Sequence, residues 1–446
     1  MARNMFTVLD NRTYRHLLAA QIIALVGTGL ATVALGLLAY DIAGGNAGAV
    51  LGTALAIKMV AYIGVAPVVG AFADRLPRRA FLVAMDMVRA AVALCLPFVD
   101  QVWQVYVLIF ALQSASAAFT PTFQATIPDV LPDEGDYTRA LSLSRLAYDM
   151  ESLTSPILAA GLLTVISFHW LFAGTAIGFV CSALLVVSVV LPRSPAKPRV
   201  GGIWSKTTRG MRIYLKTPRL QGLLALSLAS AAASSMVIVN TVVIVRGLLG
   251  LGQREVALTL ATYGGGSMLA ALVLPRLLDK VSDRTMMGAA AAVLTIGLVT
   301  MAALFGSGAV VWPIVLCGWF VLGIAYSMSV TPAGRLLRRS AKAEDRPAVF
   351  AAQFALSHGW WLICYPLAGQ VGANINMTAA FAALAAVAAI GTVAAFKLWP
   401  ARDPDVVTHF HDDLPADHPH MREAHGGNSG HGFVIDDLHH AWPSQK

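Results

Sequence analysis

Gly70-Ala71-Phe72-Ala73-Asp74-Arg75-Leu76-Pro77-Arg78-Arg79 is a short charged stretch between two long apolar runs, and Pro275-Arg276-Leu277-Leu278-Asp279-Lys280-Val281-Ser282-Asp283-Arg284 echoes it 205 residues later. Both place an aspartate fifth, a basic residue directly after it and an arginine last. A second correspondence, Pro156-Ile157-Leu158-Ala159 with Pro366-Leu367-Ala368-Gly369, has nearly the same offset, 210 residues. Matches at one spacing mean that the chain is written twice. Repeated halves are a feature of transporters that bind their cargo near the membrane midplane, between the repeats.

Outward from these stretches the chain is a series of apolar runs, at 15–41, 48–73, 79–99, 103–127, 138–166, 169–191, 219–247, 254–278, 285–305, 310–334, 346–372 and 376–398. Each can cross about 30 Å of hydrocarbon as a helix, and their Gly, Ala and Ser content suits helix packing in lipid rather than a β-barrel. Only 13% of residues are charged, against about 25% in soluble domains. The expected fold is therefore all-α, with twelve spans in two six-helix halves, 1–191 and 219–398. A basic segment, 192–218, joins them, and a tail, 399–446, follows. The polar start with Arg3, Arg12 and Arg15 leads into a full-length span, so no cleavable signal peptide is expected. The cysteines Cys95, Cys181, Cys317 and Cys364 are single and read as small buried hydrophobes.

Charge gives the topology. From Ala401 onward there are three Lys/Arg against eight Asp/Glu, which leaves a net +13 for the rest of the chain. Apart from Lys58, Arg89 and Arg145 inside spans, the basic residues gather in alternate connections, with only Arg246 and Arg254 on the other side. The positive-inside rule then predicts a multi-pass protein of the inner membrane with both termini in the cytoplasm. The basic excess is a lipid and topology signal and calls for no nucleic acid. Segment 192–218 is rich in Lys and Arg, has no acid, and carries Trp204, Met211 and Leu215 at helical spacing. Two readings stand side by side for it: an amphipathic helix on anionic lipid, and a flexible linker.

The stretch from Gly70 to Arg79 resembles the signature loop of the major facilitator superfamily, G-x-x-x-D-R-x-G-R-R/K, with Pro77 in place of the usual glycine. The resemblance implies that Asp74 caps and pairs with charges across the two halves when the outside is open, and that Arg75 and Arg78 complete this gate beside Gly70 and Arg79. The plainer reading is that these basic residues only set topology. Span 4 lacks the intramembrane arginine of proton-coupled drug exporters, and span 5 has Ser155-Pro156-Ile157-Leu158-Ala159-Ala160 instead of their Gly-Pro-x-x-Gly-Gly. The pattern is similar to the branch that holds enterobactin-type siderophore exporters and NreB-type nickel-resistance exporters. A histidine-rich tail points to the nickel group.

An intramembrane charge costs at least about 2.5 kcal/mol and is a functional hypothesis by default. Span 5 holds Arg145, Asp149 and Glu151. Arg145 and Asp149 are four apart and are expected to pair, whereas Asp149 and Glu151 point about 200° apart on a regular helix. At least one of these carboxylates should face the pathway. His358 in span 11 reaches a similar depth, roughly 16 to 20 Å, and aligns through the repeat with Tyr148. Asp149, Glu151 and His358 are thus the expected site for a divalent metal and for protons, an N/O donor set suited to Ni²⁺, Co²⁺ or Zn²⁺. A packed histidine is the alternative for His358. Lys58 and Arg145 are candidate counter-ions, and Asn240, Gln113 and Ser114 are polar candidates for which interhelical hydrogen bonding is the simpler account. His16 and His169, at span ends, read as interfacial.

Eight of eleven histidines fall in the last 46 residues: His409, His411, His418, His420, His425, His431, His439 and His440. Interspersed with acids, they read as a disordered accessory metal binder. Without an HExxH or a nucleotide-binding glycine loop the chain is not expected to be an enzyme or to hold a cofactor. The expected function is a monomeric exporter of Ni²⁺, and of Co²⁺ as a second metal, in exchange for protons. A siderophore or drug exporter and a membrane-anchored metal sensor or metallochaperone dock are the competing readings.

Overall fold

A computed structural model describes residues 5–72, 77–191, 203–278, 280–342, 345–401, 403, 406–409, 429–435, 439 and 442 of the 446-residue chain; some side chains within these ranges, including those of Arg145 and Asp149, lie outside the description. The first half contains α1 (Arg12–Ala43), α2 (Ala47–Phe72), α3 (Arg78–Cys95), α4 (Val102–Val130), α5 (Glu134–Leu162) and α6 (His169–Val187). A shorter helix, α7 (Ile203–Lys216), leads into α8 (Pro218–Val242), α9 (Gln253–Leu278), α10 (Asp283–Gly306), α11 (Trp312–Val330), the short α12 (Ala333–Arg339), α13 (Arg346–Asn374) and α14 (Met377–Leu398). The predominantly helical architecture and its twelve long helices match the expectation from sequence.

Local signals place the helix ends. Asn11 caps α1 by accepting from the Tyr14 amide at 3.0 Å, Asp133 caps α5 from the Asp136 amide at 2.9 Å, and Asn376 caps α14 from the Ala379 amide at 2.8 Å. Each satisfies an amide that the first turn leaves without a helical acceptor. Gly44, at φ +53°, turns the chain within three residues from α1 into α2, a backbone conformation that costs glycine little.

The halves pack alike. α1 lies against α6 and α5 as α8 lies against α14 and α13, and α2 lies against α4 as α9 lies against α11. Two seams join the halves, α2 against α13 and α5 against α9. Nine helical stretches among the described residues are long and apolar enough to cross a membrane, one running through both α1 and α2. Neither α5, with its acids, nor α13, with His358, is among them.

α7 packs along α13. Arg209 Nε lies 2.6 Å from Asp345 Oδ1, Gly210 abuts the Ala348 backbone, and the Tyr214 hydroxyl donates to Gln353 Oε1. Among its described side chains Gly210, Ile213 and Tyr214 are buried, and Leu215 is exposed. The tail departs from expectation at its described residues. Val406–His409 pairs antiparallel with Ser429–Gly432, and Phe433, Ile435 and His439 are buried. The apolar alternation Phe433-x-Ile435 fits a pleated segment with one buried face, so these residues are ordered where the sequence expects disorder.

Candidate functional site

The interior charges of the described helices belong to the first half. α2 brings Lys58, α3 brings Asp86 and Arg89, and α5 brings Glu151. Between their end turns, α8 to α14 contain no Asp, Glu, Lys or Arg, and His358 is their one ionisable group apart from Tyr and Cys.

Glu151 packs against α1 at Gly29, where an added Cβ would meet Glu151 Oε1 at 2.7 Å and Ser155 Oγ at 2.2 Å. The missing side chain at Gly29 makes room for the carboxylate. Lys58 lies in electrostatic range of both Glu151 and His358, and its ammonium stands 5.9 Å from the centre of the Tyr62 ring, a cation–π distance. Lys58 also lines a cavity of about 30 Å³ with Thr28, Thr32, Gln113 and Ser116, large enough for about two waters.

His358 Nδ1 lies 2.7 Å from the Phe354 carbonyl oxygen. A carbonyl only accepts, so Nδ1 carries a proton, and in the neutral ring Nε2 then keeps its lone pair. The ring lies nearly parallel to Tyr62 at 6.1 Å and packs on Phe354 at 3.9 Å. Phe354, His358, Trp361 and Tyr365 follow one another at helical spacing, and Trp361 and Tyr365 rings are 5.1 Å apart. The face of α13 that meets α2 is therefore aromatic. Behind it in the second half, Tyr263 bonds Ser234 at 2.6 Å and lies 5.9 Å from Tyr326.

Among the described residues no three His, Cys, Asp or Glu side chains gather as a metal centre requires. The expected trio is described only in part, since the Asp149 side chain lies outside the description, and a cation, Lys58, lies in range of both Glu151 and His358. Asn240 takes another role. Fully buried, it donates to the Ala368 carbonyl at 2.9 Å, and its Oδ1 sits against Gly48 and Gly372. It ties α8 to α13 beside α2. Gln113 lines the Lys58 cavity.

In the loop stretch, Asp74 and Arg75 lie outside the described residues, and Gly70 falls in the last turn of α2. Arg78 pairs with Asp129 at the end of α4, and Arg79 donates to the Val187 carbonyl of α6. Both bonds stay within the first half, where the resemblance implied a gate between halves. Of the tail histidines, His439 is buried with its ring 4.7 Å from Phe433, so as folded it is a packing residue. His409 and His431 fall in the two paired strands, with side chains outside the description. His411, His418, His420, His425 and His440 lie outside the described residues.

Sequence reasoning missed one ionic cluster. Arg89 pairs with Asp86 one turn earlier, Asp86 accepts from Ser182 Oγ of α6 at 2.8 Å, and the guanidinium lies 4.2 Å from Phe119 and 4.5 Å from Phe179. An Asp and an Arg three apart inside an apolar run is the signal that could have found it. Arg89 also lies in electrostatic range of Tyr62 and Tyr148.

Comparison with known proteins agrees with this architecture. The chain is 25% identical over 298 residues to the uncharacterized MFS-type transporter YfiS of Bacillus subtilis (strain 168), covering 64% of this chain and 69% of YfiS. It is 26% identical over 153 residues to macrolide efflux protein A of Streptococcus pyogenes, covering 32% of this chain and 38% of that protein, so the latter match spans well under half of either. The crystal structure of the nucleoside transporter NupG superposes with a TM-score of 0.63 at 14% identity, over 86% of this chain and 98% of NupG. A bacterial metal transporter superposes with a TM-score of 0.60 at 15% identity, over 87% and 98%. At such identities the superpositions speak for fold alone. The model of the Major Facilitator Superfamily matches residues 17–252 and 223–414, nearly the whole helical body, and the chain belongs to that superfamily of membrane transporters.

Proposed function

We propose that this transporter is a secondary active exporter that carries an organic solute out of the cytoplasm by alternating access, in exchange for protons taken up at Glu151. The observation that carries the reading is, among the described residues, the surroundings of Lys58: the Glu151 carboxylate in electrostatic range and the Tyr62, Phe354 and His358 rings where α2 meets α13. That is the lining of a pocket for an organic molecule, mostly apolar with a few placed polar groups. The similarity to an efflux protein supports the outward direction. The charge pattern supports an inner-membrane position with both termini in the cytoplasm.

Export of Ni²⁺ or Co²⁺ is the second reading, favoured by the eight tail histidines and the free Nε2 of His358. One assay separates the two. Purified protein in liposomes, under an imposed pH gradient, is offered a cationic dye, Ni²⁺ and Co²⁺ in turn. Dye movement that needs the gradient and is lost in Glu151→Gln supports the organic reading. Metal movement lost in both Glu151→Gln and His358→Ala, with no dye movement, supports the metal reading and sinks the first.

A further inference from the structure

The cavity beside Lys58 and the aromatic face of α13 share one arrangement. Lys58 and Tyr62 are four apart on α2, so the ammonium and the ring project from the same side of that helix. The ammonium stands over that ring, in range of the Glu151 carboxylate, and Tyr62 faces Phe354 and His358 of the other half at 6.2 and 6.1 Å. A carboxylate combined with ring faces recognises a large monovalent cation: the charge supplies long-range attraction, and the π faces accept a weakly hydrated cation. A divalent metal requires several ligand atoms at about 2 Å, which the described residues do not gather.

We infer that Lys58 is a tethered stand-in for the cargo: its ammonium occupies the place of the cargo's cation, and a lipophilic monovalent organic cation binds by displacing it. In this account Lys58 neutralises Glu151 in the empty protein, so the charged seam carries no unbalanced carboxylate between cycles. The cargo then competes with a charge held on the protein itself. The adjoining cavity, lined by Thr28, Gln113 and Ser116, gives the displaced ammonium hydroxyl and amide acceptors. This inference uses the export reading only for the direction of transport. Binding itself tests it independently.

The experiment measures equilibrium binding to detergent-purified full-length protein, with tetraphenylphosphonium, its isosteric anion tetraphenylborate, and Ni²⁺ as probes. Wild type should bind the phosphonium and not the borate. Lys58→Met should tighten phosphonium binding by about tenfold, Glu151→Gln should weaken it by about tenfold or more, and Tyr62→Leu should weaken it by roughly fivefold, each about 1 to 1.4 kcal/mol. Lys58→Arg, which keeps the charge, should show none of the tightening seen in Lys58→Met, and thermal unfolding of every variant shows which are folded. Weaker phosphonium binding in a folded Lys58→Met, equal binding of the borate, or Ni²⁺ binding that depends on Glu151 would overturn the inference. Phosphonium binding with this pattern but without proton-driven flux would uphold it while the transport reading failed.

Discussion

Asp41 and Arg246 form an ion pair of 2.6 Å that joins the end of α1 to the π-helical turn following α8, one residue from each half. The Arg246 guanidinium also lies 4.5 Å from the Tyr40 ring. At the same end of the molecule Gly48 and Gly369 bring α2 and α13 together so closely that a Cβ on Gly369 would lie 2.1 Å from the Gly48 carbonyl oxygen. The halves are thus closed at the end remote from Arg78, Arg209 and Arg339, and alternating access requires that this closure release.

Arg246→Ala should bias the transporter toward opening at that end. The pair is half exposed, so its removal is worth about 0.2 to 1 kcal/mol, a shift of up to roughly fivefold in the balance of states. Labelling of a cysteine placed in the α2–α13 seam measures this directly. Unchanged labelling in Arg246→Ala and in Asp41→Asn would show that the pair does not hold the closure.

Gly52→Leu should act at the same closure and more strongly. An added Cβ would meet the Tyr365 carbonyl oxygen at 2.4 Å, a backbone contact that a rotamer change cannot relieve, and overpacking of this kind costs about 1 to 3 kcal/mol. The closed arrangement should become rare, and uptake of label at the seam should rise by about tenfold or more. A variant that labels like wild type would mean that the helices separate at no cost.

Asp86→Asn should lower stability more than any exposed substitution. Both partners of the Asp86–Arg89 pair are buried, and losing one side of such a pair costs about 3 to 5 kcal/mol because the remaining charge is stranded. The double variant Asp86→Leu with Arg89→Met should recover much of the loss. Thermal unfolding in detergent compares the three proteins, and a single variant as stable as wild type would contradict the burial argument.

Two truncations placed two residues apart should differ sharply. Asp403 lies 3.3 Å from the buried Arg219 and 2.9 Å from Arg339, and accepts from the Trp399 indole at 3.1 Å. A chain ending after residue 404 keeps this knot but loses the buried Phe433 and Ile435, so it should unfold earlier than the full protein yet later than the shorter one. A chain ending after residue 402 loses it and should be less stable by about 3 kcal/mol or more. Equal melting temperatures would show that Asp403 does not anchor the tail.

Raising the pH should loosen α7 from α13. Burial pushes the Tyr214 hydroxyl well above the usual tyrosine range, so the folded state holds a proton that the unfolded chain releases near about pH 10. A raised folded pKa stabilises below the unfolded value and is lost as pH climbs toward the folded one, so stability should fall from about pH 10 upward. Tyr214→Phe should reduce that alkaline loss in unfolding curves, at the expense of the bond to Gln353. A curve of the same shape in the variant would exclude Tyr214 as its source.

The helices were legible because each apolar run is long and bounded by residues with a clear local role, such as Asn11, Asp133 and Asn376 at helix starts. The site was legible only in part. Glu151 and His358 announce themselves as polar residues in apolar runs, yet the position of Lys58 in range of both depends on how α1 seats α2 and α5 and how α2 meets α13, and no local pattern states helix pairing. Asn240 carried the same signal as Glu151 and makes an interhelical bond, and its burial against glycines of α2 and α13 cannot be seen from its neighbours in sequence. The tail misled through composition. Its many polar residues hide the few, Phe433, Ile435 and Trp442, that dock.

The uneven distribution of interior charge has an electrical consequence. Moving one elementary charge through a membrane potential of 100 mV is worth about 2.3 kcal/mol, and only the first half has full charges deep enough to feel most of that field. These charges come in opposite signs, Lys58 in range of Glu151 and Arg89 paired with Asp86, so while both partners move together the field does little net work on the first half. Protonation of Glu151 leaves Lys58 unbalanced, and only in that state would a cell's resting potential pull on this half.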